Sequence, residues 1–210
     1  KTKVVNDKLV FKDIDLKYNN NFTINLSSAQ NNAYNEINKH NKTLLFWVTW
    51  SWKTQIYIKL IQNQLKLSKQ SLLLIPEIIL TTQISDTIKS FFWNDVLIIN
   101  STITEATKTK YFWLINNWIA KVIIWTRSSI FYPYNNLWLI IIDEEHDSSY
   151  ISDQSPRYNT IEIAEKITEL NWNKLLLWSG TPSIKSMYKA INWDWYKLVT
   201  LFEKYKKTDI

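Results

Sequence analysis

Six short apolar runs, separated by stretches of helical length, constrain the fold of this chain more than any other feature of its sequence. The runs cover 44–48, 71–75, 96–99, 121–125, 137–142 and 174–178. The stretches of helical length cover 54–67, 80–92, 104–118, 158–170 and 183–191. Strands that are buried on both faces are continuously apolar, and parallel strands need crossover connections that are usually helices. The pattern therefore predicts an α/β domain with a mostly parallel sheet and helices on both faces.

The first candidate site follows the first apolar run, because ligands in such sheets bind beyond the carboxyl ends of the strands. Residues 47–54 are W-V-T-W-S-W-K-T, which has the spacing of the phosphate-binding loop G-x-x-x-x-G-K-[ST] with tryptophans at its glycine positions. The backbone N–H groups of such a loop wrap phosphates, its lysine contacts the β- and γ-phosphates, and its hydroxyl binds Mg²⁺. The predicted nucleotide-binding residues are Trp47, Val48, Thr49, Trp50, Ser51, Trp52, Lys53 and Thr54. Of these, Lys53 is predicted to be catalytic and Thr54 to be a magnesium ligand.

The tryptophans of this loop conflict with that role. Indoles would occupy the space that phosphates need, and a left-handed conformation costs a residue other than glycine about 1–2 kcal/mol. The chain has 12 tryptophans and 1 glycine, whereas an average usage of about 7% predicts roughly 15 glycines. Trp125, Trp138, Trp172 and Trp178 also stand at turns and strand ends, where glycine is common. We therefore interpret many of these positions as glycines encoded by UGA, predict UGA codons at the three loop tryptophans, and expect the loop with tryptophans to bind no nucleotide.

The second candidate site follows the apolar run 137–142, where the next residues are Asp143, Glu144, Glu145 and His146. An acidic run is most often a solvated helix start, but here an apolar run leads directly into it. In P-loop ATPases an acidic residue at this strand end holds Mg²⁺, and a nearby residue positions the attacking water. We predict that Asp143 is catalytic as the metal ligand and that Glu144 polarises the water. His146 beside Glu144 is a candidate link between nucleotide state and DNA contact.

Charge and composition limit the class of protein further. The net charge is +6, which fits either an anionic partner or a soluble lysine-rich surface. There is no cysteine, which excludes disulfides and thiolate metal sites within these residues and fits a cytosolic protein. No apolar run is long enough to span a membrane. The N-terminus has neither a starting methionine nor a signal-peptide pattern, so we expect an excerpt of a longer cytoplasmic protein.

The order of these motifs resembles that of superfamily 2 helicases, and in particular the PriA family of primosomal replication-restart helicases. The stretches that carry the resemblance are 26–37, 44–61, 72–83, 121–150, 155–166 and 175–191. The sequence DEEHDSSY after TRSSIF indicates this family far more specifically than a phosphate-binding loop alone does. The resemblance implies a RecA-like P-loop NTPase domain, the first helicase lobe, over residues 21–200. It also implies that residues 1–20 lead in from an upstream domain and that 201–210 begin a junction to a zinc module and a second lobe.

The resemblance implies roles for single residues as well. Gln30 would contact the adenine. Ser179 and Thr181 would belong to the motif that couples hydrolysis to DNA movement, in which Gly180 replaces an alanine. Residues 148–158 would form the aromatic-rich loop that senses single-stranded DNA. The residues that the resemblance assigns to DNA contact or coupling are Pro76, Glu77, Thr81, Thr126, Arg127, Ser128, His146, Tyr150, Arg157, Tyr158, Ser179 and Thr181.

The chain departs from the family pattern in two ways. Residues 157–162 are R-Y-N-T-I-E where the family has R-Y-H-A-R-D, so the aromatic-rich loop lacks a histidine and an arginine. Tryptophan also stands where the family has or tolerates glycine, whereas Trp113 falls where the family itself has tryptophan and is predicted to have a UGG codon. The tryptophans at such glycine positions are Trp47, Trp50, Trp52, Trp93, Trp118, Trp125, Trp138, Trp178 and Trp193.

The resemblance also implies the function. The chain is expected to be the ATP-binding lobe of an ATP-dependent 3′-to-5′ DNA helicase or translocase in replication restart, with ATP and Mg²⁺ as cofactors and zinc only in the downstream module. The implied partners are single-stranded or forked DNA, primosome proteins and single-strand-binding proteins, with no membrane. The isolated lobe is expected to be inactive because the second lobe supplies arginine fingers. Two alternatives stay open, which are another superfamily 2 translocase and a degenerate module that binds nucleic acid without hydrolysing ATP.

Overall fold

The computed structural model describes residues 22–47, 53–76, 82–92, 96–99 and 103–201, with only the main chain at Lys53 and at 82–85. The helices are α1 (Ser28–Lys39), α2 (Lys53–Lys66), α3 (Thr82–Phe92), α4 (Glu105–Asn116), α5 (Thr160–Asn171) and α6 (Ile184–Asn192). The strands are β1 (Lys42–Trp47), β2 (Gln70–Leu74), β3 (Val96–Ile98), β4 (Val122–Trp125), β5 (Leu137–Ile142), β6 (Ile151–Ser152), β7 (Tyr158–Asn159), β8 (Lys174–Ser179) and β9 (Lys197–Leu201). Two 3₁₀ turns cover Arg127–Phe131 and Ser148–Tyr150.

Seven of these strands form one sheet in the order β3-β4-β2-β5-β8-β1-β9. Every neighbouring pair in this sheet is parallel, whereas β6 and β7 form a separate antiparallel pair. Each of the six apolar runs overlaps one strand of the sheet, and each of the five predicted helical stretches overlaps a helix. The predicted α/β architecture is therefore confirmed.

The side chains of the strands alternate between two apolar cores, one on each face of the sheet. In β5, Leu139 and Ile141 belong to the core that α1, α2 and α3 cover. Ile140 and Ile142 belong to the core on the other face, which α4, α5 and α6 cover. The prediction of helices on both faces is thus confirmed. Within the described ranges, no helix is both long and apolar enough to cross a membrane.

One helix and three strands were not predicted, because none of them has a continuous apolar run. Helix α1 is mostly polar and buries Gln30, Ala33 and Ile37, so its apolar stripe is narrow. Strand β9 has the sequence KLVTL and lies at one edge of the sheet beside β1. The β6–β7 pair has only two residues in each strand. Tertiary contacts, rather than local pattern, stabilise these elements.

Two helices are followed by tryptophans in the left-handed conformation. The φ angles of Trp118, after α4, and Trp172, after α5, are 59° and 55°. The Trp118 N–H donates to the carbonyl of Ile115, and the Trp172 N–H donates to that of Thr168. Glycine is the usual residue where a helix ends in this way, because it adopts the left-handed conformation without strain. The backbone at these two positions therefore supports the glycine interpretation.

The parallel sheet brings the candidate segments to its carboxyl edge, where the C-terminal ends of the strands lie. Strands β1, β2, β4, β5 and β8 all end at this edge, since parallel strands share one direction. The phosphate-binding loop follows β1, the acidic run follows β5, and the Ser179–Thr181 segment follows β8. The fold thus collects motifs that are far apart in the chain.

Candidate functional site

The carboxylate of Asp143 is held at the carboxyl end of β5, where the residue is 1% exposed. The hydroxyl of Tyr57 in α2 donates to Asp143 Oδ1 at 2.9 Å, and the Glu144 N–H donates to the same oxygen at 3.1 Å. Burial, followed by the charge of Asp143, raises the pKa of Tyr57 well above its usual value. Tyr57 therefore stays a hydrogen-bond donor and fixes the orientation of the carboxylate. The sequence analysis gave Tyr57 no role.

Helix α2 contacts this carboxylate through Tyr57. Helix α2 begins at Lys53, and the half-buried Thr54 precedes Tyr57 by three residues. Side chains three residues apart are neighbours on a helix surface. The hydrogen bond from Tyr57 to Asp143 therefore brings the N-terminal part of α2 towards the acidic turn, which residues 143–146 form. The predicted residues outside the described ranges are Val48, Thr49, Trp50, Ser51, Trp52, Glu77 and Thr81, together with the side chain of Lys53.

The oxygen atoms at this place fit Mg²⁺. This ion prefers hard oxygen donors and is usually bound by one or two carboxylates together with substrate phosphates. Asp143 supplies a buried carboxylate, and Thr54 supplies a hydroxyl at the start of a helix. In the described part of the chain, no group of three or more His, Cys, Asp or Glu side chains is placed to hold a metal ion. The donor set suits an ion that is shared with a bound nucleotide.

Two buried tryptophans lie behind the site. The ring centroids of Trp47, at the end of β1, and Trp178, in β8, are 5.7 Å apart and stacked. The ring of Tyr57 meets Trp178 edge-on at 4.8 Å. The indole Nε1 of Trp47 is buried and has no hydrogen-bond partner among the described residues. Leaving a buried donor unpaired costs about 1–3 kcal/mol. The stacked rings therefore fill the space behind the site but leave one buried N–H group without a hydrogen bond.

The turn after Asp143 contacts the segment that follows β8. Nδ1 of His146 lies 2.7 Å from Ser179 Oγ, and its Nε2 lies 3.3 Å from Thr181 Oγ1. Glu144 Oε2 lies 3.7 Å from Nδ1 of the same histidine. Glu144 also has a φ of 46°, which is a strained conformation of the kind found at functional sites. The structure thus brings together the residues predicted to couple hydrolysis to DNA movement, and that role itself stays a prediction.

Arg127, after β4, binds the main chain of the protein itself. Its Nη1 donates to the carbonyl oxygens of Ser149 at 3.0 Å and Ile151 at 2.7 Å. The guanidinium therefore orders the start of the predicted aromatic-rich loop, and its contact with DNA stays a prediction. The neighbouring predicted residues are Pro76 and Thr126, which are buried, and Ser128, which is exposed.

Tyr150 is buried, unlike most of the predicted DNA-sensing loop. The resemblance assigns it to the DNA-sensing loop, but the structure leaves it 1% exposed. Its hydroxyl donates to the carbonyl oxygens of Asp143 at 2.6 Å and Leu74 at 3.1 Å. Burial, followed by the charge of Asp143, raises the pKa of Tyr150, so the hydroxyl stays a donor. Tyr150 therefore supports the acidic turn from the core, and its predicted part in sensing DNA stays a prediction.

The half-buried Tyr158 of the predicted loop pairs with an exposed phenylalanine outside that loop. The rings of Tyr158 and Phe131 meet edge-on at 4.9 Å, and Phe131 is 56% exposed. Arg157 is exposed, and its Nε donates to the carbonyl of Asp153 at 3.2 Å. Aromatic side chains beside a cation can stack nucleic-acid bases without sequence preference. The sequence analysis missed Phe131 because it is distant from Tyr158 in the chain.

Gln30 and Ser27 cap the N-terminus of α1. Its Oε1 accepts from the Ser27 N–H at 2.7 Å, and the Gln30 N–H donates to Ser27 Oγ at 3.2 Å. These two bonds form a capping box, which satisfies N–H groups that the helix leaves unpaired. The carboxamide oxygen of Gln30 thus has a structural contact, and its predicted contact with adenine stays a prediction.

This chain is similar to known helicases in sequence. A family model described as DEAD/DEAH box helicase matches residues 27–190. The Replication restart protein PriA of Rickettsia felis is 41% identical over 196 residues, which are 92% of this chain and 30% of that protein. The protein of the same name from Bacillus subtilis is 37% identical over 72% of this chain and 19% of its own length. The chain thus spans less than a third of these curated relatives, and they confirm the resemblance that the motif order indicated.

Solved helicase structures share the fold at low sequence identity. The Hef helicase domain of Pyrococcus furiosus has a TM-score of 0.59 and 18% identity over 81% of this chain and 37% of that one. A DEAD box protein from Methanococcus jannaschii has a TM-score of 0.54 and 19% identity over 84% of this chain and 54% of that one. At such identities the likeness concerns the fold alone, and it confirms the predicted RecA-like α/β domain.

Proposed function

The chain belongs to the DEAD/DEAH box helicase family, and from this premise we propose that it is the first RecA-like lobe of an ATP-dependent 3′-to-5′ DNA helicase or translocase that acts in replication restart. Its similarity to proteins named for replication restart supports this role. We propose residues 21–200 as the lobe, 1–20 as a lead-in from an upstream domain, and 201–210 as the start of a junction. That junction would lead to a zinc module and to a second lobe.

One observation carries the ATPase part of the proposal. The hydrogen bond of 2.9 Å from the Tyr57 hydroxyl to Asp143 Oδ1 joins the first turn of α2 to the acidic turn. Lys53 and Thr54 begin that helix, which supports a site that joins the phosphate-binding and metal-binding candidates beyond the carboxyl ends of the strands. A P-loop ATPase needs these two groups of residues together, since the ion that the acidic residue holds also contacts the phosphates.

Bound Mg-ATP would supply the phosphoryl group for transfer and an ion that neutralises its charge. Within the proposed site, Lys53 binds the β- and γ-phosphates, while the Thr54 hydroxyl and the Asp143 carboxylate hold the ion. Tyr57 keeps the carboxylate in place by donating to Oδ1. Glu144, which follows Asp143 directly, orients the attacking water and accepts its proton. Gln30 is the proposed contact of the adenine, from the N-terminus of α1.

The proposed partner is single-stranded or forked DNA, bound on the loop side of the sheet edge. The contact between His146 and Ser179 at 2.7 Å joins the acidic turn to the segment after β8. The exposed Phe131 and the half-buried Tyr158, with the exposed Arg157 next to Tyr158 in the chain, would supply a surface for stacking bases. Primosome proteins and single-strand-binding proteins are further proposed partners, and replication restart implies a cytoplasmic location.

Titration calorimetry with Mg-ATP tests the nucleotide site. The chain with tryptophan in the loop is expected to bind no nucleotide. The variant Trp47→Gly/Trp50→Gly/Trp52→Gly is expected to bind it weakly, because the freed space and the flexible main chain admit the phosphates. Adding Asp143→Asn to that variant should lower the affinity for Mg-ATP about tenfold, which corresponds to about 1.4 kcal/mol. The same addition should leave the affinity for ATP in EDTA unchanged.

Two results would contradict parts of this proposal. If the glycine variant binds no nucleotide, the alternative of a degenerate nucleic-acid-binding module is favoured. If the lobe alone hydrolyses ATP rapidly when single-stranded DNA is added, it does not need the arginine fingers of a second lobe. A cysteine-rich insert encoded beyond codon 210 would favour a PriA-type protein over another superfamily 2 translocase.

A further inference from the structure

Glu145 connects the acidic turn to helix α6. The residue is 2% exposed. Its Oε1 accepts from the main-chain N–H of Ser183 at 2.6 Å. Its Oε2 accepts from the hydroxyls of Ser183 at 3.0 Å and Ser186 at 2.8 Å. The main-chain N–H of Glu145 donates to the carbonyl of Trp178 at 2.9 Å, so both its main chain and its side chain bind the β8–α6 region.

The acceptor of these bonds is a carboxylate placed at a helix N-terminus. Ser183 is the N-cap of α6, and its hydroxyl also accepts from the Ser186 N–H. A negative charge at this end of a helix interacts favourably with the helix dipole. Hydrogen bonds to a charged acceptor are stronger than neutral ones, and removing the acceptor leaves buried donors unpaired. The first turn of α6 is therefore strongly held to the residue that follows Glu144.

The other end of α6 is held to α5. Lys189 and Glu165 form a buried ion pair in which Lys189 Nζ lies 2.7 Å from Glu165 Oε1. Helix α5 begins at Thr160, and Asn159 of β7 caps it with its side chain. Tyr158, the half-buried aromatic of the proposed nucleic-acid surface, directly precedes this cap. A continuous set of packed elements thus runs from the acidic turn through α6 and α5 to the loop.

We propose that Glu145 is a positioning residue that fixes the N-terminus of α6 to the acidic turn, so that residues 143–147 and 183–186 move as one unit. The inference rests on the proposed function in one respect, because its catalytic consequence is measured as ATP hydrolysis. Glu145 acts through Glu144 and does not touch the nucleotide.

The test compares Glu145→Ala, Glu145→Gln and Glu162→Gln in the intact protein that carries this lobe with glycine at positions 47, 50 and 52. That protein, with Glu145 and Glu162 unchanged, is the unmodified reference. Glu162 is the matched control, because it contacts Lys185 of α6 from the exposed side. Glu145→Ala should raise amide exchange about tenfold in both 143–147 and 183–186, since local opening follows the lost hydrogen bonds. It should lower kcat of DNA-stimulated ATP hydrolysis about tenfold and leave the KM for ATP within about twofold.

Glu145→Gln keeps one acceptor oxygen and should give intermediate values, whereas Glu162→Gln should match the unmodified protein in all three measurements. Faster exchange in only one of the two segments would overturn the inference, and so would an unchanged kcat per folded molecule in Glu145→Ala. Equal losses in Glu145→Gln and Glu162→Gln would overturn it as well. If the unmodified protein hydrolyses no ATP, the proposed function fails, and the exchange measurement alone decides whether the two segments move together.

Discussion

The helix ends and the carboxyl edge of the sheet accommodate tryptophan in opposite ways. At the helix ends, Trp118 and Trp172 have φ angles of 59° and 55° and remain 41% and 74% exposed. At the sheet edge, Trp47, Trp125 and Trp178 are 7%, 5% and 1% exposed. Their rings contact one another or other aromatic rings. The two exposed tryptophans have a strained main chain and little side-chain packing. The three buried tryptophans have packed side chains and no positive φ angle.

This difference separates two physical reasons for expecting glycine. At the helix ends the reason is the conformation of the main chain, because the left-handed region suits glycine. At the sheet edge the reason is space, because indoles in the phosphate-binding loop would stand where phosphates bind. The fold supports the glycine interpretation directly at Trp118 and Trp172. At the sheet edge that interpretation depends on the loop spacing and on the family resemblance.

The largest expected effect tests the sheet edge. In the chain that otherwise keeps its tryptophans, Trp178→Gly should lower the free energy of unfolding by about 3–5 kcal/mol, because it leaves a cavity in the core. Urea unfolding followed by circular dichroism measures this change. A gain in stability would mean that the sheet edge behaves like the helix ends, and the comparison would fail.

Tyr57→Phe tests the hydrogen bond that joins α2 to the acidic turn at the same edge of the sheet. The substitution keeps the ring that meets Trp178 and removes the hydroxyl that donates to Asp143. We expect the free energy of unfolding to fall by about 1–3 kcal/mol, because a buried carboxylate loses a donor. Combining it with Asp143→Asn in a double-mutant cycle should give a coupling energy above about 0.5 kcal/mol. Additive effects would show that the hydrogen bond does not organise the edge.

Trp172→Gly tests the helix ends. The free energy of unfolding should rise by about 1–2 kcal/mol, because glycine adopts the left-handed conformation without steric cost. Trp172→Ala is the control, since it removes the indole but keeps a Cβ and therefore the strain. Thermal or urea unfolding of both variants separates the two causes. An equal gain from alanine would assign the effect to the exposed indole and remove the backbone argument.

Trp118→Gly should give the smallest change. Its backbone is as strained as that of Trp172, but its ring lies 5.6 Å from the Lys121 ammonium. A cation–π contact at an exposed site contributes about 0.5–1 kcal/mol, which offsets part of the relief of strain. We therefore expect a gain below about 1 kcal/mol in urea unfolding. A gain larger than that of Trp172→Gly would show that the Lys121 contact contributes nothing, and the two helix ends would then differ for another reason.

The sequence predicted the sheet well because its signal is local. Each apolar run, such as 137–142, forms a strand, and Asp143 follows the strand end as predicted. The sequence did not predict α1 or β9, which have no continuous apolar run. Tyr57, Glu145 and Phe131 were missed for a different reason. Their contacts join residues that are far apart in the chain, and no pattern near them indicates a partner.

By itself, the sequence determined the strands, their alternation with helices, and the motifs that follow them, because hydrophobic periodicity and motif spacing act over short stretches of chain. The tertiary structure decided which side chains meet. It buried Tyr150 against the main chain of Asp143, and it separated packed tryptophans from strained ones. Burial and hydrogen bonding depend on neighbours from distant segments, and only the packed chain brings those segments together.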